Sequence, residues 1–363
     1  LFVVLNQQLT SLIRILFQQG PGLLLVLSAL LMFSCRSSHP MGTPLSASPA
    51  LQRYDRKIIP RINGTSMECY LSKAMGETSG SCPLLFLCQG SGYGSVFESL
   101  PMGGYIDTFG WIWEFSQYST RFRIAFSEKQ GVRIGTILEE ADEADPPMEF
   151  LIHDTLENRV SDVVRSLEEL VKDPALDRSR IVVAGFGEGA QVAAAAARRC
   201  GFVTHLGFFA CGGEPHLNEI VLLNREKLKR AKITPDEAEE QTNDFFEELA
   251  EAFESRADVE TLFAGASYAH LISFWLAPPV QDLLALDIPI YAAAGNMDPL
   301  VPAASVDLIR LAFLREGRQN LTLKIYPGLD HGFRSVIDEA QDPRLVYQLP
   351  AVFDAFCRWI LNE

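Results

Sequence analysis

Apolar residues along this chain gather in short continuous runs, near 67–71, 84–88, 122–127, 181–184, 205–210, 288–294 and 321–325. Runs of this length, bounded by Gly, Pro, Asn or Ser, read as strands buried on both faces. Between 155 and 172 the spacing changes. Leu156, Val160, Val163, Val164, Leu167, Leu170 and Val171 recur at helical intervals and predict a helix lying over one sheet face. Val352, Phe353, Phe356 and Ile360 form a similar stripe and predict a closing helix. Strands alternating with helices imply an α/β fold with a mainly parallel sheet flanked by helices. The longest gap between strands, about 214–285, predicts a helical insertion. Within it Thr234-Pro235-Asp236-Glu237 forms a capping box with Pro at the first helical position, and Phe245, Phe246, Leu249 and Phe253 continue that helix.

The most telling local pattern is Ile181-Val182-Val183-Ala184-Gly185-Phe186-Gly187-Glu188-Gly189-Ala190. A buried strand runs here into a glycine-flanked turn and a small-residue helix start, as in a nucleophile elbow, where backbones of strand and helix nearly touch. The position that G-x-S-x-G gives to serine is Gly187. A dinucleotide turn, G-x-G-x-x-G, would need glycine at 190, which is Ala190, and would normally stand near the start of a domain. Two further patterns follow in chain order. Gly295-Asn296-Met297-Asp298 succeeds one apolar strand, and Leu329-Asp330-His331-Gly332-Phe333 succeeds the next. Each puts its polar residue beyond the carboxyl end of a strand, in the order slot, acid, histidine.

With these patterns the chain resembles the α/β-hydrolase superfamily, and within it bacterial exported hydrolases of the dienelactone-hydrolase and prolyl-oligopeptidase-like type, over roughly residues 60–360. Gln89-Gly90-Ser91-Gly92 and Glu128-Lys129-Gln130-Gly131-Val132, each following a strand, add to the resemblance. It implies His331 as general base and Asp298 as its orienter, with Gly187 in the nucleophile position, where serine is absent. It implies an oxyanion hole from the backbone N–H groups of Ser91 or its neighbours and of Glu188. Gln89 stands where many members have histidine, and the Glu188 side chain is expected to serve the helix N-terminus. Gln89, Tyr268 and Trp275 are candidate pocket residues. Tyr268, His270, Phe274 and Trp275 either line an acyl site or pack the insertion onto the core, and for Tyr105, Phe109, Trp111, Trp113 and Phe115 core packing is the default. The resemblance implies a protein of serine-hydrolase ancestry acting on ester, thioester or peptide bonds, with a small-molecule or peptide acyl ligand and no cofactor.

Glycine carries no group that attacks a carbonyl carbon. Three readings remain: a pseudohydrolase that keeps a ligand pocket or a structural role, a weak hydrolase in which His331 activates water, and otherwise intact machinery from which the serine was removed.

The amino-terminal segment bears on location. Leu23 to Phe33 is an apolar run preceded by Arg14 and ending in Ser34-Cys35. It falls short of the roughly 20 residues that a membrane-spanning helix requires. It reads as a signal segment over 1–35 with lipidation at Cys35, which would tether the protein to the periplasmic side of a bacterial membrane; Met32 and Phe33 depart from the usual small or branched pattern and leave open a cleaved signal without lipid or an uncleaved anchor. Residues 36–55, rich in Ser and Pro, read as a disordered tether, leaving 56–363 as the folded domain. A net charge of −15 without basic clusters excludes nucleic acid as a partner. No Cys/His spacing suggests a metal. An oxidising compartment permits a disulfide between Cys69 and Cys82, while Cys88, Cys200, Cys211 and Cys357 read as buried thiols.

Overall fold

The computed structural model describes residues 48–74, 81–100, 104–137, 146–229, 233–263, 266–336 and 347–363. The expected signal segment, Cys35 and most of the expected tether lie outside these residues. Eight strands form the central sheet: β1 (Tyr54–Pro60), β2 (Ser66–Ser72), β3 (Cys82–Cys88), β4 (Arg123–Ser127), β5 (Leu176–Phe186), β6 (His205–Phe209), β7 (Ile290–Gly295) and β8 (Leu321–Tyr326). Their order is β1-β2-β4-β3-β5-β6-β7-β8. The two amino-terminal pairings, β1 with β2 and β2 with β4, are antiparallel. From β4 onward all neighbours are parallel. The loops after β3, β5, β6, β7 and β8 therefore emerge at one edge of the sheet.

Alternation along the strands explains why the apolar runs are unbroken. Leu84, Phe86 and Cys88 face one core, together with Ile181, Val183, Leu206, Phe208, Ile290 and Ala292. Leu85, Leu87, Val182, Ala184, Phe209, Tyr291 and Ala293 face the other. Burial on both faces requires helices on both sides. On the first face lie α1 (Leu156–Leu170) and α2 (Glu188–Arg199). Thr155 caps α1 by accepting a hydrogen bond from the Asn158 N–H. The five consecutive alanines Ala193–Ala197 let α2 approach the sheet closely.

The insertion comprises α3 (His216–Lys229), α4 (Pro235–Glu254), α5 (Tyr268–Trp275) and α6 (Pro279–Ala285). The capping box of α4 forms as the sequence expects, with the Thr234 hydroxyl accepting from the Glu237 N–H and the Glu237 carboxylate accepting from the Thr234 N–H. Two further helices, α7 (Ala303–Arg315) and α8 (Leu349–Leu361), flank the last strands. The stripe of α8, with Val352, Phe353, Phe356 and Ile360, fills the second core.

Two expectations are corrected. Ordered structure starts before residue 56: a short helix spans Pro49–Gln52 and β1 begins at Tyr54. Tyr54 is anchored there because its buried hydroxyl donates to Asp107 and accepts from Trp113 Nε1 at 2.8 Å, contacts far along the chain that composition does not reveal. Cys69 and Cys82 are not bridged to each other. They lie on β2 and β3, and β4 runs between those strands. Of the aromatic group 105–115, Tyr105, Phe109, Trp111 and Trp113 pack against the second core, whereas Phe115 is exposed.

Candidate active site

The turn between β5 and α2 is sharper than a serine or alanine adopts without strain. Gly187 has φ 54° and ψ −125°. Its N–H donates to the Phe209 carbonyl at 3.0 Å, and its own carbonyl accepts from the Ala190 N–H at 2.9 Å. The flanking glycines are required by contact. A methyl group on Gly185 would lie 2.0 Å from the Gly189 carbonyl oxygen, and one on Gly189 would lie 2.5 Å from the Cys88 oxygen and 2.7 Å from the Gln89 oxygen. The same crowding presses the loop after β3, the expected oxyanion loop, against the start of α2.

Beyond β7 and β8 the two predicted polar residues meet. His331 Nδ1 lies 2.7 Å from Asp298 Oδ2, and both side chains are buried. The second oxygen of Asp298 accepts from the N–H groups of Leu300 at 2.8 Å and Val301 at 2.9 Å, which fixes the carboxylate. The loops are clasped by Asn296, whose side-chain oxygen accepts from the Gly328 N–H at 2.7 Å. With Nδ1 engaged, the other ring nitrogen points away from Asp298. His331 Nε2 is buried and makes no hydrogen bond to any described residue. Two residues on, Phe333 has φ 56°, an outlier for so large a side chain. Its ring lies 6.5 Å from Phe186 and 6.4 Å from Phe209, the residue before Gly187 and the acceptor of the Gly187 N–H. The His331 turn thus folds back over the β6 end toward the elbow.

A buried ionic cluster surrounds the other side of the turn. Glu188, first residue of α2, accepts from Arg159 Nη1 at 2.9 Å and from His270 Nε2 at 3.1 Å. His270 Nδ1 faces Asp154, 2.9 Å from its backbone carbonyl oxygen and 2.9 Å from its carboxylate Oδ2. A ring that serves two carboxylates donates from both nitrogens, so His270 is an imidazolium. Burial alone would lower its pKa, but the charges of Glu188 and Asp154 push it up to about 10. Against the same burial, His270 and Arg159 hold Glu188 well below the usual carboxylate range. Arg159 also donates to the carbonyls of Gln89 and Gly90, and Lys129 Nζ to those of Gly90, at 2.7 Å, and Gly92. Burial and the neighbouring Arg159 bring the Lys129 pKa down to about 8. Glu188 stands in the first turn of α2, as expected, and its carboxylate is in addition drawn toward α1 and α5.

The remaining predicted residues separate. Ser91 lies in the clamped loop between Gly90 and Gly92. Gln89 borders a cavity of about 30 Å³ with Glu128, Lys129, Asp154 and Arg159, and its Oε1 is buried without a hydrogen bond to any described residue. Tyr268 packs into the insertion's own core with Phe245 and Leu249, and Trp275 lies edge-on to Phe253 at 5.7 Å. From α5 it is His270 that reaches the elbow, because residues two apart on a helix face different ways. Sequence reading placed His270 only in an aromatic cluster and missed Arg159 and Asp154. The signal was faint: three ionisable residues on predicted helix starts, far apart in sequence.

The sheet order, the elbow after β5 and the Asp298–His331 pair beyond β7 and β8 together define an α/β-hydrolase fold. Residues 252–359 match the model of the Dienelactone hydrolase family. Among solved structures, an acylaminoacyl peptidase of Pyrococcus horikoshii is similar at 13% identity and a TM-score of 0.52, over 84% of this chain and 41% of that one. A puromycin-hydrolyzing peptidase of Mycobacterium tuberculosis aligns at 14% identity and a TM-score of 0.54, over 87% and 40%. A putative dipeptidyl aminopeptidase IV of Bacteroides ovatus aligns at 11% identity and a TM-score of 0.54, over 85% and 36%. The chain thus spans about two fifths of the length of the structures it resembles. No curated protein sequence matches it.

Proposed function

We propose that this chain is a pseudohydrolase of serine-hydrolase ancestry that binds an acyl ligand and turns it over poorly. The observation that carries this reading is the bonded Asp298–His331 pair, with His331 Nε2 buried and unpartnered, beside an elbow whose nucleophile position is Gly187. In a complete site a serine oxygen attacks the acyl carbon, the histidine takes its proton, and paired backbone N–H groups stabilise the oxyanion. Here the base and its orienter are present and the attacking oxygen is not. A second reading rests on the same nitrogen: a water held by His331 Nε2 would attack directly and give slow hydrolysis.

Side-by-side assays of the native and Gly187→Ser chains on p-nitrophenyl esters of several lengths test the proposal. Turnover confined to Gly187→Ser supports it. Native turnover abolished by His331→Ala supports water attack, and turnover by neither chain contradicts the inherited machinery. Ester, thioester and peptide bonds all remain within the proposed ancestral range.

The proposed location is the periplasmic side of a bacterial membrane, with lipid on Cys35. The apolar run Leu23 to Phe33 and Ser34-Cys35 support it. No helix among the described residues is long and apolar enough to cross a membrane. Release of the full-length protein from the membrane fraction by Cys35→Ala is the expected result. Unchanged membrane retention would contradict lipid attachment at that residue.

A further inference from the structure

We propose that the native site takes a free carboxylic acid, its carboxyl group standing where a serine oxygen and an acyl carbon would meet. This rests on the pseudohydrolase reading and names the ligand class. Three observations converge. First, His331 is 95% buried by side chain, with Nδ1 committed to Asp298 and Nε2 unpartnered among the described residues. Through Phe333 its turn is packed over the elbow. Second, Gly187 places no side chain at the start of α2, which carries no side-chain cap; the Ala190 N–H is taken by the Gly187 carbonyl, which leaves the N–H groups of Glu188 and Gly189 as the helix-end donors. Third, Glu188, the acidic residue in the first turn of α2, is drawn aside by Arg159 at 2.9 Å and His270 at 3.1 Å. It does not compete for the N–H groups of the turn.

A carboxyl group matches this arrangement better than an ester or an alcohol. One of its oxygens meets His331 Nε2, either donating its O–H to the ring or accepting from the protonated ring. Its second oxygen accepts from the backbone N–H groups at the start of α2. An ester has neither the O–H nor the charge, and an alcohol has only one oxygen. A serine at position 187 would crowd the group out. The site would then hold the product of ester or amide hydrolysis as its ligand.

The test uses the full folded chain labelled with isotope in its histidine rings. The sequence has 6 histidines, so the His331 resonances can be assigned by comparison with His331→Gln. Straight-chain acids from acetate to decanoate, and benzoate, are titrated against their methyl esters and matching alcohols. At least one acid is expected to move the His331 resonances and to bind about tenfold or more tightly than its ester and alcohol. Gly187→Ser is expected to weaken that acid by about tenfold. Absence of any acid effect on His331 at millimolar concentration, or equal binding of acid and ester, overturns the proposal.

A second pair of variants tests the part given to Glu188. His270→Phe should return the carboxylate to the helix end and weaken the acid by about fivefold or more, and adding Glu188→Gln should restore it. Loss without restoration in chains of unchanged melting temperature overturns that part. Hydrolysis gained by Gly187→Ser without acid binding to the native chain defeats only the carboxyl assignment. Acid binding with an inert Gly187→Ser chain defeats the inherited machinery and leaves the carboxyl site standing.

Discussion

His331 and Asp298 come from loops after different strands and form a buried hydrogen bond of 2.7 Å, with the far nitrogen of the histidine left without a partner among the described residues. Such a pair orients an imidazole in one tautomer, which is what a general base needs. On the proposed reading, the group it would serve is missing from the turn at Gly187.

Restoring that group has a conformational cost. At φ 54° glycine is unstrained, whereas serine at the same position is held in a sparsely populated region. Gly187→Ser is expected to lower unfolding stability by about 1–3 kcal/mol, measured by urea denaturation. A stability equal to or above that of the native chain would show that the turn relaxes.

If Asp298 fixes the tautomer of His331, its loss is felt once a nucleophile is present. In the Gly187→Ser background, Asp298→Asn is expected to reduce kcat about 10³- to 10⁴-fold with little change in KM. Equal kcat values with and without Asp298 would remove the carboxylate from the chemistry.

Crowding at the elbow makes its own prediction. Because a methyl group on Gly189 would meet the Cys88 oxygen at 2.5 Å, Gly189→Ala is expected to destabilise the fold by about 1–3 kcal/mol. In the Gly187→Ser background it should also lower kcat, since the expected oxyanion loop is pushed off α2. Unchanged melting temperature would contradict the close approach.

The ionic cluster predicts a pH dependence. His270 has an ordinary pKa of 6.5 and is raised to about 10 when folded. The folded chain therefore binds more protons above pH 6.5, and this contribution to stability is full below 6.5 and declines until about 10. Lys129, lowered to about 8, works in the opposite sense above that pH. Glu128, raised by burial to about 7, titrates in both chains, so the difference isolates His270: over pH 6.5–8, native stability minus that of His270→Gln should fall by about 1.4 kcal/mol per pH unit. Parallel profiles for the two chains would show that His270 is neutral in the fold.

Much of this architecture was legible in the sequence because burial on both faces leaves unbroken apolar runs. All seven expected strands are present, and the helix expected at 155–172 spans Leu156–Leu170. The strand β1 was not legible: it is an edge strand with four of its seven residues exposed, and its anchor Tyr54 depends on Asp107 and Trp113. The elbow and the Asp298–His331 pair were readable from glycine spacing and from position after strands. The Glu188–His270–Arg159 cluster was not, since it joins α1, α2 and α5 through contacts 29 and 82 residues apart along the chain. No local pattern records such a pairing. That Cys69 and Cys82 are not bridged was missed for a related reason, because strand order in space departs from strand order in sequence.

The most direct measurement is covalent capture with a fluorophosphonate, read by intact mass and peptide mapping. The Gly187→Ser chain is expected to gain one adduct, mapped to position 187 and prevented by His331→Ala, while the native chain gains none. An adduct on the native chain would reveal another nucleophile. An unlabelled Gly187→Ser chain that remains folded would show that Asp298, His331 and the elbow do not form the machinery proposed.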